Sequence, residues 1–149
     1  MPESNVDVRA QAIRELGEKQ FALMMQNTPH RICGLLTARG RSVEWEKAFL
    51  HIALHFGPDH RKPSHTVFRK KFCNEAAVKD LVRQAANAPS TVICTKLTID
   101  GVPLGRPGIK IVRAFREPIG STADLLCLVV IADFQGTLIT AFPGTSKEL

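Results

Sequence analysis

Apolar positions recur at helical spacing through the first half of the chain and at alternate positions through its last third. Val8, Ile13, Leu16, Phe21, Leu23 and Met24 fall roughly on one side of a helix predicted over Val6–Met25, with Arg, Glu and Lys between them. Asn27-Thr28-Pro29 is expected to end it, and the segment 30–41 has no clear period. Ser42 is a natural N-cap for a second helix over Val43–Phe56, whose apolar side carries Trp45, Phe49 and Ile52. Gly57-Pro58 stops that helix, and Asp59–Pro63 is a polar linker or loop. Ser64 is expected to cap a short helix over His65–Phe72, with Phe68 and Phe72 one turn apart. Asn74 caps the next helix, Glu75–Ala86, with Val78, Leu81, Val82 and Ala85 as its apolar stripe.

After Pro89 the period falls to two. Thr91–Ile99 is a β-branched run that closes at Asp100-Gly101, a strong turn signal. Ile109–Arg116 alternates, and Leu125–Asp133 is continuously apolar, as a central strand is. Gly136 marks a turn, and Thr137–Phe142 is a last strand ended by Pro143-Gly144. Consecutive strands with short connections predict an antiparallel meander with helices covering one face. The expected class is α+β: N-terminal helices followed by a twisted four-stranded antiparallel sheet.

Charge divides the chain where the linker does. The net charge is +6, yet residues 1–60 hold seven Lys+Arg against seven Asp+Glu, and residues 61–149 hold thirteen against seven. A neutral helical segment, 1–57, is therefore expected to precede a basic domain, 58–149; the first serves as an entry or linker segment or packs as an extension. A basic domain suits a polyanionic partner, although a merely soluble basic surface has the same totals. At 44% hydrophobic and 23% charged, the composition is that of a folded chain. Cys33, Cys73, Cys94 and Cys127 are scattered with no CxxC pair, which predicts reduced thiols and excludes a zinc ribbon. The polar start MPESNVDVRAQ predicts no signal peptide. The longest apolar run, Leu125–Ala132, is eight residues, against about 20 for a membrane-spanning helix.

The densest polar cluster is Ser64-His65-Thr66-Val67-Phe68-Arg69-Lys70-Lys71. On a helix, His65 and Arg69 share a face. An imidazole beside fixed cations suits metal-free RNA cleavage, because it moves protons near neutral pH while the cations stabilise a pentavalent phosphate. A solvated basic helix with a surface histidine has the same pattern. Lys96 sits on the first strand, Arg106 precedes the second, and Lys110, Arg113 and Arg116 lie on it. By period-two logic Lys110 and Arg116 share a face and Arg113 points away. A cationic face opposite the helices would track a phosphate backbone. Thr140, near the end of the last strand, offers a hydroxyl to a phosphate; threonine is also a common strand former.

The order of a His-Thr-containing helix with basic residues, a second helix, four strands and a terminal Thr-Ala-Phe-Pro resembles the toxin nucleases of the barnase–EndoU–colicin–RelE superfamily. It is similar in particular to the C-terminal RNase domains of contact-dependent inhibition and other polymorphic bacterial toxins. The resemblance is carried by Ser64–Phe72, Gly105-Arg106-Pro107-Gly108, Arg116-Glu117-Pro118-Ile119-Gly120 and Gly136–Pro143, and covers about 63–143. It implies a metal-independent endoribonuclease, often acting on tRNA, in which a 2′-hydroxyl attacks the adjacent phosphate and leaves a cyclic phosphate. By position, His65 matches the helix histidine, Arg69 a phosphate-binding cation and Thr140 the last-strand hydroxyl. Lys70 and one or more of Lys96, Arg106, Lys110 and Arg113 would bind substrate. The resemblance also implies no cofactor, an acidic immunity protein or antitoxin as partner, a monomer, delivery by a larger carrier or secretion system, and action in the cytoplasm of a target cell.

Other readings fit parts of the sequence. His51, His55, His60 and His65 form H-x3-H-x4-H-x4-H, but Ile52 stands where a zinc protease motif needs its glutamate, and no metal is expected. A non-catalytic RNA-binding module would lack the usual stacking platform, since aromatics are 6% and tyrosine is absent. A stand-alone RelE-like toxin paired with an antitoxin is the third reading.

Overall fold

The computed structural model describes residues 5–59, 61, 62, 65–99 and 102–149. It has the expected α+β architecture, with helices leading into an antiparallel sheet of four strands. The expected cap at Ser64 and turn at Asp100-Gly101 lie outside the described residues.

The first helical stretch differs from the single helix expected over Val6–Met25. Helix α1, Asn5–Leu16, stops at Gly17, whose φ of 82° lies in the left-handed region that favours glycine. Helix α2, Glu18–Thr37, then runs straight through Pro29 and takes up the segment that had no clear period. Proline cannot donate to the carbonyl of Met25. The helix continues because Phe21, Thr28, Pro29, Ile32 and Leu36 all bury against neighbours, and Thr28 Oγ1 donates to Met24 O at 2.8 Å. Tertiary burial outweighs one lost hydrogen bond.

Helix α3, Val43–Ala53, is capped as expected, with Trp45 N donating to Ser42 Oγ at 3.2 Å, and it tightens into a 3₁₀ turn over Leu54–Phe56. Helix α4, Glu75–Asn87, is capped by Asn74, whose side chain accepts from Ala77 N at 2.8 Å. The predicted stripe Val78, Leu81, Val82 and Ala85 is buried throughout.

The helix expected over His65–Phe72 is not formed. Only Lys70–Phe72 makes a 3₁₀ turn, and the residues before it run as an arm between two neighbours. Phe68 N donates to His55 O at 2.8 Å, Arg69 N to Ile119 O at 2.8 Å, and Ser121 N to Val67 O at 2.8 Å. A β-bridge joins Phe68 to Gly120, and the Phe68 ring is buried in the core. These partners offer the backbone what a helix would, and they also bury the phenyl ring.

Strands β1, Thr91–Ile99, β2, Val102–Ala114, β3, Cys127–Asp133, and β4, Leu138–Gly144, pair in chain order. Strand β2 begins earlier than its alternation suggests, because pairing with β1 continues to Ile99 opposite Val102 beyond a bulge at Lys96–Thr98. Pro143 and Gly144 extend β4 instead of ending it, opposite Leu128 and Cys127. β4 is an edge strand, where a proline costs no ladder bond. The arm lies along it, with Thr66 Oγ1 donating to Pro143 O at 2.7 Å.

The helices cover one face of the sheet. Ile32, Leu36, Trp45, Ala48 and Ile52 from α2 and α3 join the α4 stripe, Ile109, Ile111, Leu128, Val130 and Ala141 in a single core, so residues on both sides of position 57 share it. Arg31 ties these layers together. It pairs with Glu44 at 2.5 Å and donates to Gly136 O at 2.7 Å, and Glu44 also accepts from Leu138 N at 2.9 Å. Among the described residues, no helix is long and apolar enough to cross a membrane.

Candidate active site

The face of the sheet away from the helices carries the candidate chemistry. Register places Lys110, Ile131 and Thr140 in one cross-strand row, and Val112, Val129 and Phe142 in the next. Cross-strand partners point to the same side, so the Lys110 ammonium and the Thr140 hydroxyl share this face. Lys110 and Thr140 are both half-buried. Beside them Val112, Cys127 and Val129 form a fully buried cluster, with Ile131 and Phe142 packed against it.

Two imidazoles stand at the β4 edge of that face. His55, in the 3₁₀ turn after α3, stacks on the Phe142 ring with centroids 5.4 Å apart. His65, on the arm, stacks on His55 at 4.2 Å, with the rings 15° from parallel. Phe142 and Thr140 are two residues apart on one side of β4, a spacing of about 7 Å. The His65 ring is therefore joined to the β4 edge through His55, one ring further out than Phe142.

Backbone carbonyls orient both rings. His55 Nδ1 lies 2.7 Å from Thr66 O, and His65 Nε2 lies 2.9 Å from Leu54 O and 3.2 Å from Gly57 O. A carbonyl only accepts, so these ring nitrogens carry the protons. In the neutral form His55 then has its lone pair on Nε2 and His65 has its lone pair on Nδ1. A half-buried His65 held by the turn after α3 can exchange a proton through Nδ1 without losing its anchor.

Glu148 closes the other side. It is presented by a 3₁₀ turn, Ser146–Glu148, in which the Thr145 side chain accepts from Lys147 N at 3.4 Å. Its carboxylate pairs with Lys110 Nζ at 2.7 Å. Its methylenes lie so close over Gly144 that a Cβ there would come within 2.8 Å of Glu148 Cγ. Burial, then the nearby Glu148 charge, pushes the Cys127 thiol above its ordinary range, so it stays protonated beneath the site.

The expected cations are dispersed, and this corrects the picture of a common cationic face. Arg113 points to the helix side, as alternation requires, where it donates to Gln84 O at 2.8 Å and sits over the Phe115 ring. It caps the end of α4. Lys96 pairs in register with Pro107 and so shares a side with Ile109, the helix-covered side. Arg116 lies beyond the end of β2 in an exposed bend, not on the strand beside Lys110. Arg106 lies within β2, and its side chain is outside the described residues. Lys110 is thus the one member of the expected sheet set that the described residues place on the face away from the helices.

Arg69 and Lys70 are exposed. Because 65–69 is not helical, Arg69 is not stacked one turn above His65; four extended residues span up to about 13 Å. Arg69 instead abuts the 116–120 loop, where Lys71 approaches Glu117 at 4.0 Å.

His55, Thr66 and Glu148 were not among the expected site residues. His55 was visible only as one of four regularly spaced histidines, and nothing in its neighbours signalled that Phe142 would lie beneath it. Glu148 follows the last strand in a run with no period. No family model, curated protein or solved structure matches the chain.

Proposed function

We propose that this chain is a metal-independent endoribonuclease of the bacterial toxin type, with the sheet face away from the helices as its catalytic side. The observation that carries the reading is the His65–His55–Phe142 stack on the face that also holds Thr140 and Lys110. In this reading the stack supplies the proton-transfer group, Thr140 the hydroxyl donor and Lys110 the cation.

The 2′-hydroxyl of RNA loses its proton as its oxygen bonds to the adjacent phosphorus. The bond from phosphorus to the 5′-oxygen breaks, and that oxygen takes up a proton. The products are a 2′,3′-cyclic phosphate and a 5′-hydroxyl. His65 Nδ1 takes the 2′-hydroxyl proton, water gives a proton to the departing 5′-oxygen, Thr140 donates to a phosphate oxygen, and Lys110 offsets the added negative charge of the pentavalent state. Arg69 and Lys70 hold the flanking backbone from the arm. The substrate is RNA, with tRNA a suitable target. An acidic immunity protein or antitoxin would be drawn to the net basic chain, and a larger carrier or secretion system would deliver the monomeric chain to a target-cell cytoplasm.

Purified protein is incubated with total RNA and with DNA in EDTA, beside His65→Ala. RNA is cut in EDTA, DNA is not, and His65→Ala lowers the rate by about 10²–10⁴-fold while RNA binding changes only a few-fold. Loss of activity in EDTA, or cleavage of DNA alone, overturns the proposal.

A further inference from the structure

The lysine assigned to the phosphate already has an anion. Lys110 Nζ is 2.7 Å from Glu148, and the lysine side chain retains 17% exposure against 34% for the glutamate. A largely desolvated ammonium is costly without an opposite charge, so this position demands an anion whether or not RNA is present. We infer that Glu148 stands in for a substrate phosphate on Lys110, and that RNA binding displaces it. The inference rests on the ribonuclease reading and adds to it an internal competitor at the same site.

Two further observations support exchange. Glu148 Cγ lies over Gly144 at the end of β4 while its carboxylate reaches Lys110 on β2, so the side chain spans the face on which Thr140 also lies. The turn presenting it is also short and lightly held. Ser146, Lys147 and Leu149 are exposed, and within the turn the backbone bonds are Glu148 N to Thr145 O at 3.0 Å and Leu149 N to Ser146 O at 3.1 Å. A three-residue turn of this kind opens at low cost compared with a strand. Lys110 in contrast is fixed in the middle of the sheet, paired on both sides. Displacement therefore moves the carboxylate and leaves the ammonium in place.

The test measures binding of a short single-stranded RNA carrying 2′-O-methyl groups throughout, which lacks the attacking hydroxyl and is not cut. Glu148→Gln is expected to bind it roughly three- to tenfold more tightly than the unaltered chain at low salt. Lys110→Met is expected to bind more weakly, and adding Glu148→Gln to it is expected to change nothing further. Equal or weaker binding by Glu148→Gln overturns the inference, as does tightening that persists without Lys110. A second measurement needs no substitution. The carboxyl carbon resonance of Glu148 in the unaltered chain should move toward that of an unpaired carboxylate as the oligonucleotide saturates, and an unmoved resonance overturns the inference. If RNA is bound and cut yet these results fail, the competitor role alone falls; if RNA is neither bound nor cut, the ribonuclease reading falls with it.

Discussion

Thr140 shows how much one side chain can be asked to do. It faces away from the helices because its partner Ile131 does, and Ile131 is in turn paired with Lys110. Replacing it with valine keeps the β-branched shape the strand favours and removes only the hydroxyl. Thr140→Val is expected to lower kcat by about 10–100-fold, the worth of one hydrogen bond to a charged group, with KM nearly unchanged. Its thermal midpoint should stay within a few degrees of the unaltered chain. Steady-state kinetics and a melting curve check both, and an equal loss in Thr140→Ser would sink the hydroxyl assignment. This residue and Lys110 were legible because strand alternation is strict: once Ile109–Arg116 and Thr137–Phe142 read as strands, the faces followed. His55 was not legible. Its role depends on a ring stack between positions 55, 65 and 142, and no local period links residues so far apart.

Among the elements, caps and stripes read well and the arm did not. Ser42 and Asn74 both cap as their side chains predict, because an N-cap is a local bond that neighbouring sequence decides. The 65–72 segment misled because its hydrophobic spacing suits a helix, whereas its backbone partners, His55 and Ile119, come from elsewhere in the chain. Pro29 misled in the opposite sense, since burial on both sides of it holds α2 together. The same long-range logic makes Glu44 a test of how the elements are joined. Burial raises its carboxyl pKa, but hydrogen bonds from Arg31 and from Leu138 N, with the Arg31 charge, outweigh that and hold it below the usual carboxylate range. A depressed carboxyl stabilises the fold above its unfolded value of about 4.3 and loses that contribution as pH falls through its folded value. Glu44→Gln should cost about 1–2 kcal/mol at pH 7, modest because Arg31 is partly exposed. Urea unfolding followed from pH 7 to 3 should show the variant's deficit shrink below about pH 4.3. A deficit that persists unchanged into acid would mean the carboxylate charge plays no part.

At the scale of the molecule, excess charge is a poor guide to geometry. The basic residues of 61–149 do not gather on one sheet face: Arg113 caps a helix, Lys96 shares the covered side, and Arg69 to Lys71 sit on the arm and its turn. Net charge sums over directions that only the pairing register separates. The neutral N-terminal helices were expected either to link or to pack, and α2 and α3 contribute Ile32, Leu36, Trp45, Ala48 and Ile52 to the core beneath the sheet. α3 also delivers His55 to the site through its terminal turn, so the neutral part of the chain supports the basic part directly.

The arm sets an order of assembly. The meander pairs neighbours in sequence and needs only short loops to close, so it can form early. The stack has to wait for residues from before the arm, within it and at the far edge strand to meet. Trp45, packed among the helices, reports the core and not the stack. When unfolded protein is diluted from urea, tryptophan fluorescence should recover before RNA cleavage does, and simultaneous recovery would contradict this order. Cutting the arm loose would therefore separate the ring stack from a sheet whose strands still pair with one another.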